Sequence, residues 1–140
     1  MSVPTPEGPD AREPSIRVIM MPKDTNAMGT IFGGVILSYI DQATAIQAYQ
    51  YASQKFVTKA MNAVEFVAPV RLGDVVSFYT SILRVGRTSI TVKVDVEAER
   101  FREPQGAHFV KVTEATVVCV AVDAAGRPTP IQPANPKPVL

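Results

Sequence analysis

The sequence is poor in the residues that bind metals, form disulfides or carry redox chemistry. Its 140 residues include one cysteine, Cys119, and one histidine, His108. A lone cysteine closes no internal disulfide, and the composition fits a reducing compartment. Cys119 sits in the apolar run 116–122, where it reads as a small buried residue of a strand. One histidine without a cysteine cluster makes a zinc site unexpected, so no metal is assigned. His108 follows a polar connection and precedes a strand, so it is read as a surface residue. No stretch approaches the roughly 18 consecutive apolar residues that span a bilayer. An excess of either charge is missing too. Fourteen Lys and Arg against 13 Asp and Glu leave a formal charge of +1. That balance offers no basic field for nucleic acid and no polybasic patch for a membrane. The sequence has no Gly-x-Ser-x-Gly elbow and no Gly-x-x-x-x-Gly-Lys loop, which sets aside α/β-hydrolase and P-loop chemistry.

What is present is an ordinary globular balance, 46% hydrophobic and 19% charged, at a length that suits one domain. Of the 12 prolines, four fall at Pro4, Pro6, Pro9 and Pro14 and five at Pro128, Pro130, Pro133, Pro136 and Pro138. Proline lacks an amide donor and resists helix and central strand alike. Residues 1–14 and 128–140 are therefore expected to be extended or disordered tails around a folded domain at 15–127. The first tail is polar and lacks the apolar stretch of a signal peptide, so a cytoplasmic protein is expected.

Within the domain, residues 16–21 form a short apolar run stopped by Pro22, a first strand. Residues 22–29 are rich in turn formers. From Gly33 to about Ala52 no proline intervenes, and Val35, Ile36, Tyr39, Ile40, Ala43 and Ile46 recur at helical spacing. The helix is apolar around much of its circumference and should be largely buried. The rest reads as β. A strand is expected at about 60–70, with Val64, Phe66 and Val70 on one face. Phe78, Thr80 and Ile82 alternate with Ser77, Tyr79 and Ser81. Ile90, Val92, Val94 and Val96 alternate with Thr91, Lys93, Asp95 and Glu97. In the last strand Val110, Val112, Glu114, Thr116, Val118, Val120 and Val122 are expected to share a face. Gly73-Asp74 and Gly86-Arg87 supply turns, and residues 102–106 a longer polar connection. One strand, one long helix and four strands predict an α+β domain in which an antiparallel sheet curls around a single helix, the hotdog arrangement. Its free edges and surplus apolar helix surface predict a partner subunit.

Four segments then carry a likeness. They are MPKDTNAMGTIFGG at 21–34 with Asp41 beyond it, VAPVRLGDVV at 67–76, VGRTSI at 85–90 and AVDAAGRP at 121–128. In this order they resemble the acyl-CoA thioesterases of the YciA and brain acyl-CoA hydrolase group, over about residues 17–130. The resemblance implies a hotdog fold, an obligate dimer of hotdogs and commonly a hexamer of three such dimers. It implies acyl-CoA as substrate and no metal or other cofactor. Met28 departs from the pattern where relatives often carry a polar residue. Val35 departs where a larger one is common, which could widen the acyl pocket.

The spacing puts Asp41 on a helix stripe with Gly34, Leu37, Ala45, Ala48 and Ala52, all small or apolar, so this face should pack closely. A carboxylate there needs partners. Spacing alone leaves open a catalytic group and one that leans to the rim to bind a loop amide; the resemblance implies the catalytic role, as general base or nucleophile. Asn26 by its local sequence is a turn former; the resemblance makes it a catalytic partner supplied by a different subunit from Asp41. Each glycine inside a helix costs about 1 kcal/mol relative to alanine, so Gly33 and Gly34 together call for a reason. They either let the helix pack closely on the sheet or let a thioester approach the free amides of the first turn. Arg87, Thr88 and Ser89 read locally as a solvated hairpin turn; the resemblance assigns them to coenzyme A, whose phosphates suit an Arg fork and two hydroxyls. Lys59, Arg71 and Lys93 are read as solvated. Two rivals are carried. A hotdog dehydratase or hydratase would want a histidine near the helix, and none is there. A non-catalytic acyl-CoA sensor would want a DNA-binding segment, for which the tails are short and proline-rich.

Overall fold

The computed structural model describes residues 12–101 and 108–133. The expected features at 1–11, at 102–106 and beyond 133 lie outside them. The chain runs β1 (Ile16–Ile19), a 3-10 turn (Pro22–Asp24), α1 (Gly33–Tyr51), β2 (Lys55–Met61), β3 (Val75–Val85), β4 (Ser89–Glu99) and β5 (Phe109–Val122). The strands form one antiparallel sheet in the order β1-β3-β4-β5-β2. The helix packs against β2, β3, β4 and β5 on one face of that curled sheet, as the hotdog arrangement requires.

The alternation in β4 decides where the core sits. Ile90, Val92, Val94, Val96 and Ala98 are all fully buried, while the residues between them face the other way. Their partners across the sheet, Val76 and Phe78 on β3 and Val117 and Cys119 on β5, are buried with them. The helix meets this surface with Ile36, Ile40, Ala43, Thr44 and Ala48. Those positions recur at three and four residues, and the small ones let the axis approach the sheet. Thr44 keeps its hydroxyl satisfied by donating to the Ile40 carbonyl at 2.9 Å.

Two expectations change. The strand expected at about 60–70 lies earlier, at Lys55–Met61. A shift in register between Thr58 and Ala60 breaks its alternation, which hides it from a period-two reading. Residues 62–70 instead follow the edge of β5 with isolated bonds. Asn62 N–H donates to Thr116 O, the Thr113 hydroxyl to Glu65 O and Val67 N–H to Val112 O. Pro69 cannot donate at all.

The second change is in β5. Val96 faces Thr113 but the next residue, Glu97, faces Lys111, so Val112 is an extra residue. This bulge reverses the parity of everything after it. The face turned to the helix is therefore Thr113, Ala115, Val117 and Cys119, not the even-numbered set.

At the far end of β1, Asp74 fastens the turn at 71–74. Its carboxylate accepts the Arg71 N–H at 2.9 Å and the Arg100 Nε at 3.2 Å. Gly73, at φ 87°, supplies the left-handed residue that the turn needs. The Arg100 guanidinium also donates to the Pro69 carbonyl, so one buried ion pair holds the 62–70 segment in place. Asp74→Ala should leave that arginine charged and largely buried without its carboxylate, with only the Pro69 carbonyl to accept from it, at a cost of about 3 kcal/mol. Urea denaturation measures it; an unchanged midpoint would show that the pair contributes nothing.

Candidate active site

Asp41 lies two turns into α1 and, in the protomer, is exposed rather than closely packed. Its Oδ1 accepts a hydrogen bond from the Thr58 hydroxyl of β2. Thr58 stands directly across from Cys119 of β5, and Cys119 across from Ile90 of β4. The bulge at Val112 is what turns Cys119, and with it Thr58, to the helix side. The Cys119 thiol is 2% exposed. Burial pushes its pKa up, against the pull of the Thr58 hydroxyl and helped by the Asp41 charge. A thiol held neutral in this way is a packing group and not a nucleophile, as its sequence context suggests.

The second group of expected residues gathers at the start of the helix. Asn26 closes a loop in which its Oδ1 accepts the Met28 N–H at 2.8 Å and the Thr30 N–H at 3.2 Å. Its Nδ2 donates once, to the Thr30 hydroxyl at 3.0 Å. An amide nitrogen carries two hydrogens, so one donor is left over. Met28 contributes through its backbone alone and its side chain is exposed, so its identity leaves Asn26 in place.

Phe32 precedes the helix without a side-chain cap, its own N–H bonded to Asp24 O at 2.8 Å. The amides of Gly33 and Gly34 lie ahead of the first intrahelical bond, and neither has a backbone partner among the described residues. Packing on the sheet does not demand either glycine. A Cβ on Gly33 would meet the Phe66 ring at an ordinary 3.7 Å. A Cβ on Gly34 would meet Phe32 Cε1 at 2.9 Å, on an exposed ring outside the sheet. The glycines instead keep the first turn bare beside a cleft of about 330 Å³, lined by Thr30, Ile31, Gly33, Ile36, Phe66 and residues 67–70. Val35 packs against the core and does not line this cleft. A larger cleft of about 650 Å³ opens beside the 71–74 turn. Its charged lining residues are Arg71, Asp74 and Arg100, the last two paired to each other, and none of Asn26, Gly33, Gly34, Asp41 or residues 87–89 lines it.

Arg87 and Thr88 lie in the β3–β4 turn and Ser89 opens β4. The eleven residues of β3 separate that turn from the 71–74 end, about 35 Å of strand. The turn adjoins the row containing Ile90, Cys119 and Thr58, and through it Asp41. One protomer therefore holds two groups: Asp41 with the 87–89 end, and Asn26 with Gly33 and Gly34. About 12 Å of helix separates Asp41 from Gly33. Thr58 is not singled out by the sequence, and Phe66 and Val70, expected on one face of a strand, line the cleft instead. The usable signal for Thr58 was a hydroxyl in the only β stretch that directly follows the helix. His108 is exposed, its ring bonded to Arg100 O, and Lys93 is shared between Asp95 and Glu114. No helix among the described residues is long and apolar enough to cross a membrane, and none of their His, Cys, Asp and Glu cluster as a metal site would.

Residues 28–104 match the family model described as the thioesterase superfamily. The acyl-CoA thioester hydrolase YciA of Salmonella typhimurium is 40% identical over 91% of this chain and 92% of its own length. An uncharacterized acyl-CoA thioester hydrolase of Haemophilus influenzae is 44% identical over 80% of this chain and 73% of its own. Among solved structures, a hexameric hotdog fold thioesterase of Campylobacter jejuni superposes with a TM-score of 0.79 at 44% identity, covering 86% of this chain and 90% of that one. A hexameric broad specificity acyl-coenzyme A thioesterase superposes with a TM-score of 0.80 at 40% identity, covering 86% and 82%. The chain belongs to the thioesterase superfamily, in the group of acyl-CoA thioester hydrolases typified by YciA.

The position of Cys119 makes a simple prediction. A thiol reagent at pH 8 should label it only after denaturation. Prompt labelling of the native protein would show the Thr58–Cys119 row to be open.

Proposed function

We propose that this protein hydrolyses acyl-CoA thioesters, with Asp41 as general base, in sites shared between two protomers. The observation that carries this reading is the state of Asp41: a carboxylate on a helix, bonded by one hydroxyl and facing an unpaired sheet edge. Its remaining lone pairs are free to take a proton from water. Thr58 holds the carboxylate in one orientation while it does so. The attacked carbonyl becomes an oxyanion, and the Gly33 and Gly34 amides, at the positive end of the helix, are suited to receive it. The spare Nδ2 hydrogen of Asn26 is a further donor. The coenzyme A thiolate leaves, and the acyl group lies in the apolar cleft beside Phe66. Arg87, Thr88 and Ser89 take the phosphates of coenzyme A. All of this proceeds without a metal or other cofactor.

The two groups of residues are too far apart along one helix to act on one carbonyl. The edge strand β2 offers the remedy. It is the last strand in the sheet, with Val57 exposed, and pairing it with a second copy would satisfy its ladder and bring a partner's helix alongside. Asp41 of one chain then works with Asn26 and the amides of the other. The hexameric relatives support extending this to three such dimers, and a cytoplasmic location is consistent with all of it. Release of free thiol from acyl-CoA separates hydrolysis from a sensor that only binds.

Asp41→Ala should lower kcat by about 100-fold or more while coenzyme A still binds; near-normal turnover would remove Asp41 from the reaction. Mixing Asp41→Ala with Asn26→Ala chains should restore activity, because each mixed pair regains one intact site. No recovery in verified mixed dimers would place both residues in one chain. Arg87→Ala should raise KM more than it lowers kcat, since a phosphate contact is remote from the bond that breaks.

A further inference from the structure

We infer that the segment after the hotdog domain, residues 128–133, is a strap that positions the Arg87 turn for the nucleotide half of coenzyme A. The inference rests on the role proposed above for Arg87, Thr88 and Ser89. Proline at 128, 130 and 133 removes every second or third amide donor, and the donors that remain are all used on the body of the protein. Thr129 N–H donates to Ala121 O at 2.9 Å, Ile131 N–H to Arg87 O at 2.8 Å and Gln132 N–H to Gln54 Oε1 at 2.8 Å. Gln54 answers by donating its Nε2 to Pro130 O at 3.0 Å. The Ile131 side chain packs against the core.

The turn depends on this arrangement at one carbonyl. Gly86 N–H closes the turn on Ser89 O at 2.7 Å, and Ala121 N–H of β5 holds Thr88 O at 2.9 Å. Arg87 O is held by the strap alone among the described residues. Ser89 Oγ lies over Gly86, where a Cβ would come within 2.9 Å of it, so the turn has little slack on that side. Gln54 sits between the end of α1 and the start of β2, its own N–H bonded to Ala52 O. The strap therefore ties the Arg87 backbone to the junction that carries Asp41 on one side and Thr58 on the other. A guanidinium presented from a fixed backbone loses less freedom on meeting a phosphate than one on a loose turn. Ile131 and Gln54 are positioning residues in this scheme; neither touches the substrate.

The test compares two substrates on the full chain: an acyl-CoA and the matching acyl-pantetheine, which lacks the nucleotide. Ile131→Pro removes the donor to Arg87 O, whereas Ile131→Ala shortens the side chain and keeps the donor. Ile131→Pro should raise KM for acyl-CoA about two- to tenfold, the worth of one net hydrogen bond, with kcat little changed. KM for acyl-pantetheine should not move, and Ile131→Ala, which loses core packing but keeps the donor, should raise KM for acyl-CoA by less than Ile131→Pro does. Gln54→Ala, which loses the clasp without adding a proline, should raise KM for acyl-CoA in the same direction if Ile131→Pro does not fold. Unchanged KM in Ile131→Pro or Gln54→Ala, where Arg87→Ala does raise it, overturns the strap and leaves the role of the turn standing. An equal rise with both substrates also overturns it, since general loosening would act on both. If Arg87→Ala leaves KM unchanged, the reading of the turn fails and the strap fails with it.

Discussion

One extra residue, Val112, sets which side chains of β5 look at the helix, and the chemistry of this protein follows from that phase. With the bulge, Thr113, Ala115, Val117 and Cys119 face inward. Without it, Glu114, Thr116, Val118 and Val120 would, and a carboxylate would be turned to the buried face of the sheet. The same phase places Thr58 opposite Cys119 on the helix side, where its hydroxyl reaches Asp41. A period-two element has only two states, so a single insertion is enough to choose between them.

The described carboxylates divide by how fully they are used. Asp24 is buried, accepts the Met21 N–H at 2.9 Å and lies 3.6 Å from the Lys23 ammonium. Asp74 is buried and accepts both a backbone amide and a guanidinium. Both are structural, and each holds a loop that lines a cleft. Asp41 accepts one hydroxyl and is otherwise open. A structural carboxylate is worth most when all its lone pairs are bonded, and a base is useful only when some are not. The contrast lies in bonding within one fold rather than in residue type.

Much of the architecture was legible along the chain. The helix expected from Gly33 to about Ala52 ends at Tyr51, and the alternation of β4 holds at every position. Both elements owe their form to their own side chains, so local spacing reports them. β2 lies earlier than expected because a register shift beside Lys59 breaks its alternation, and because the largely apolar residues 62–70 join β5 only by isolated bonds. The four blocks that carry the likeness to the YciA group, with Asp41 beyond the first, hold the candidate site residues and most of the cleft wall but not the hydroxyl that meets Asp41. Thr58 lies 17 residues from Asp41 and outside those blocks.

The sequence alone determined one long helix with an apolar face, a sheet of strands, a carboxylate at 41 and a glycine pair at the helix start. These follow from composition and from periods of two and 3.6 residues, which need no knowledge of partners. Only the tertiary structure decided the phase of β5, the place of β2, the bond from Thr58 to Asp41 and the separation of Asn26 from Arg87 by the length of a strand. Each depends on which strand lies beside which and in what register. That is settled by contacts between residues far apart in the chain, which local periodicity does not record.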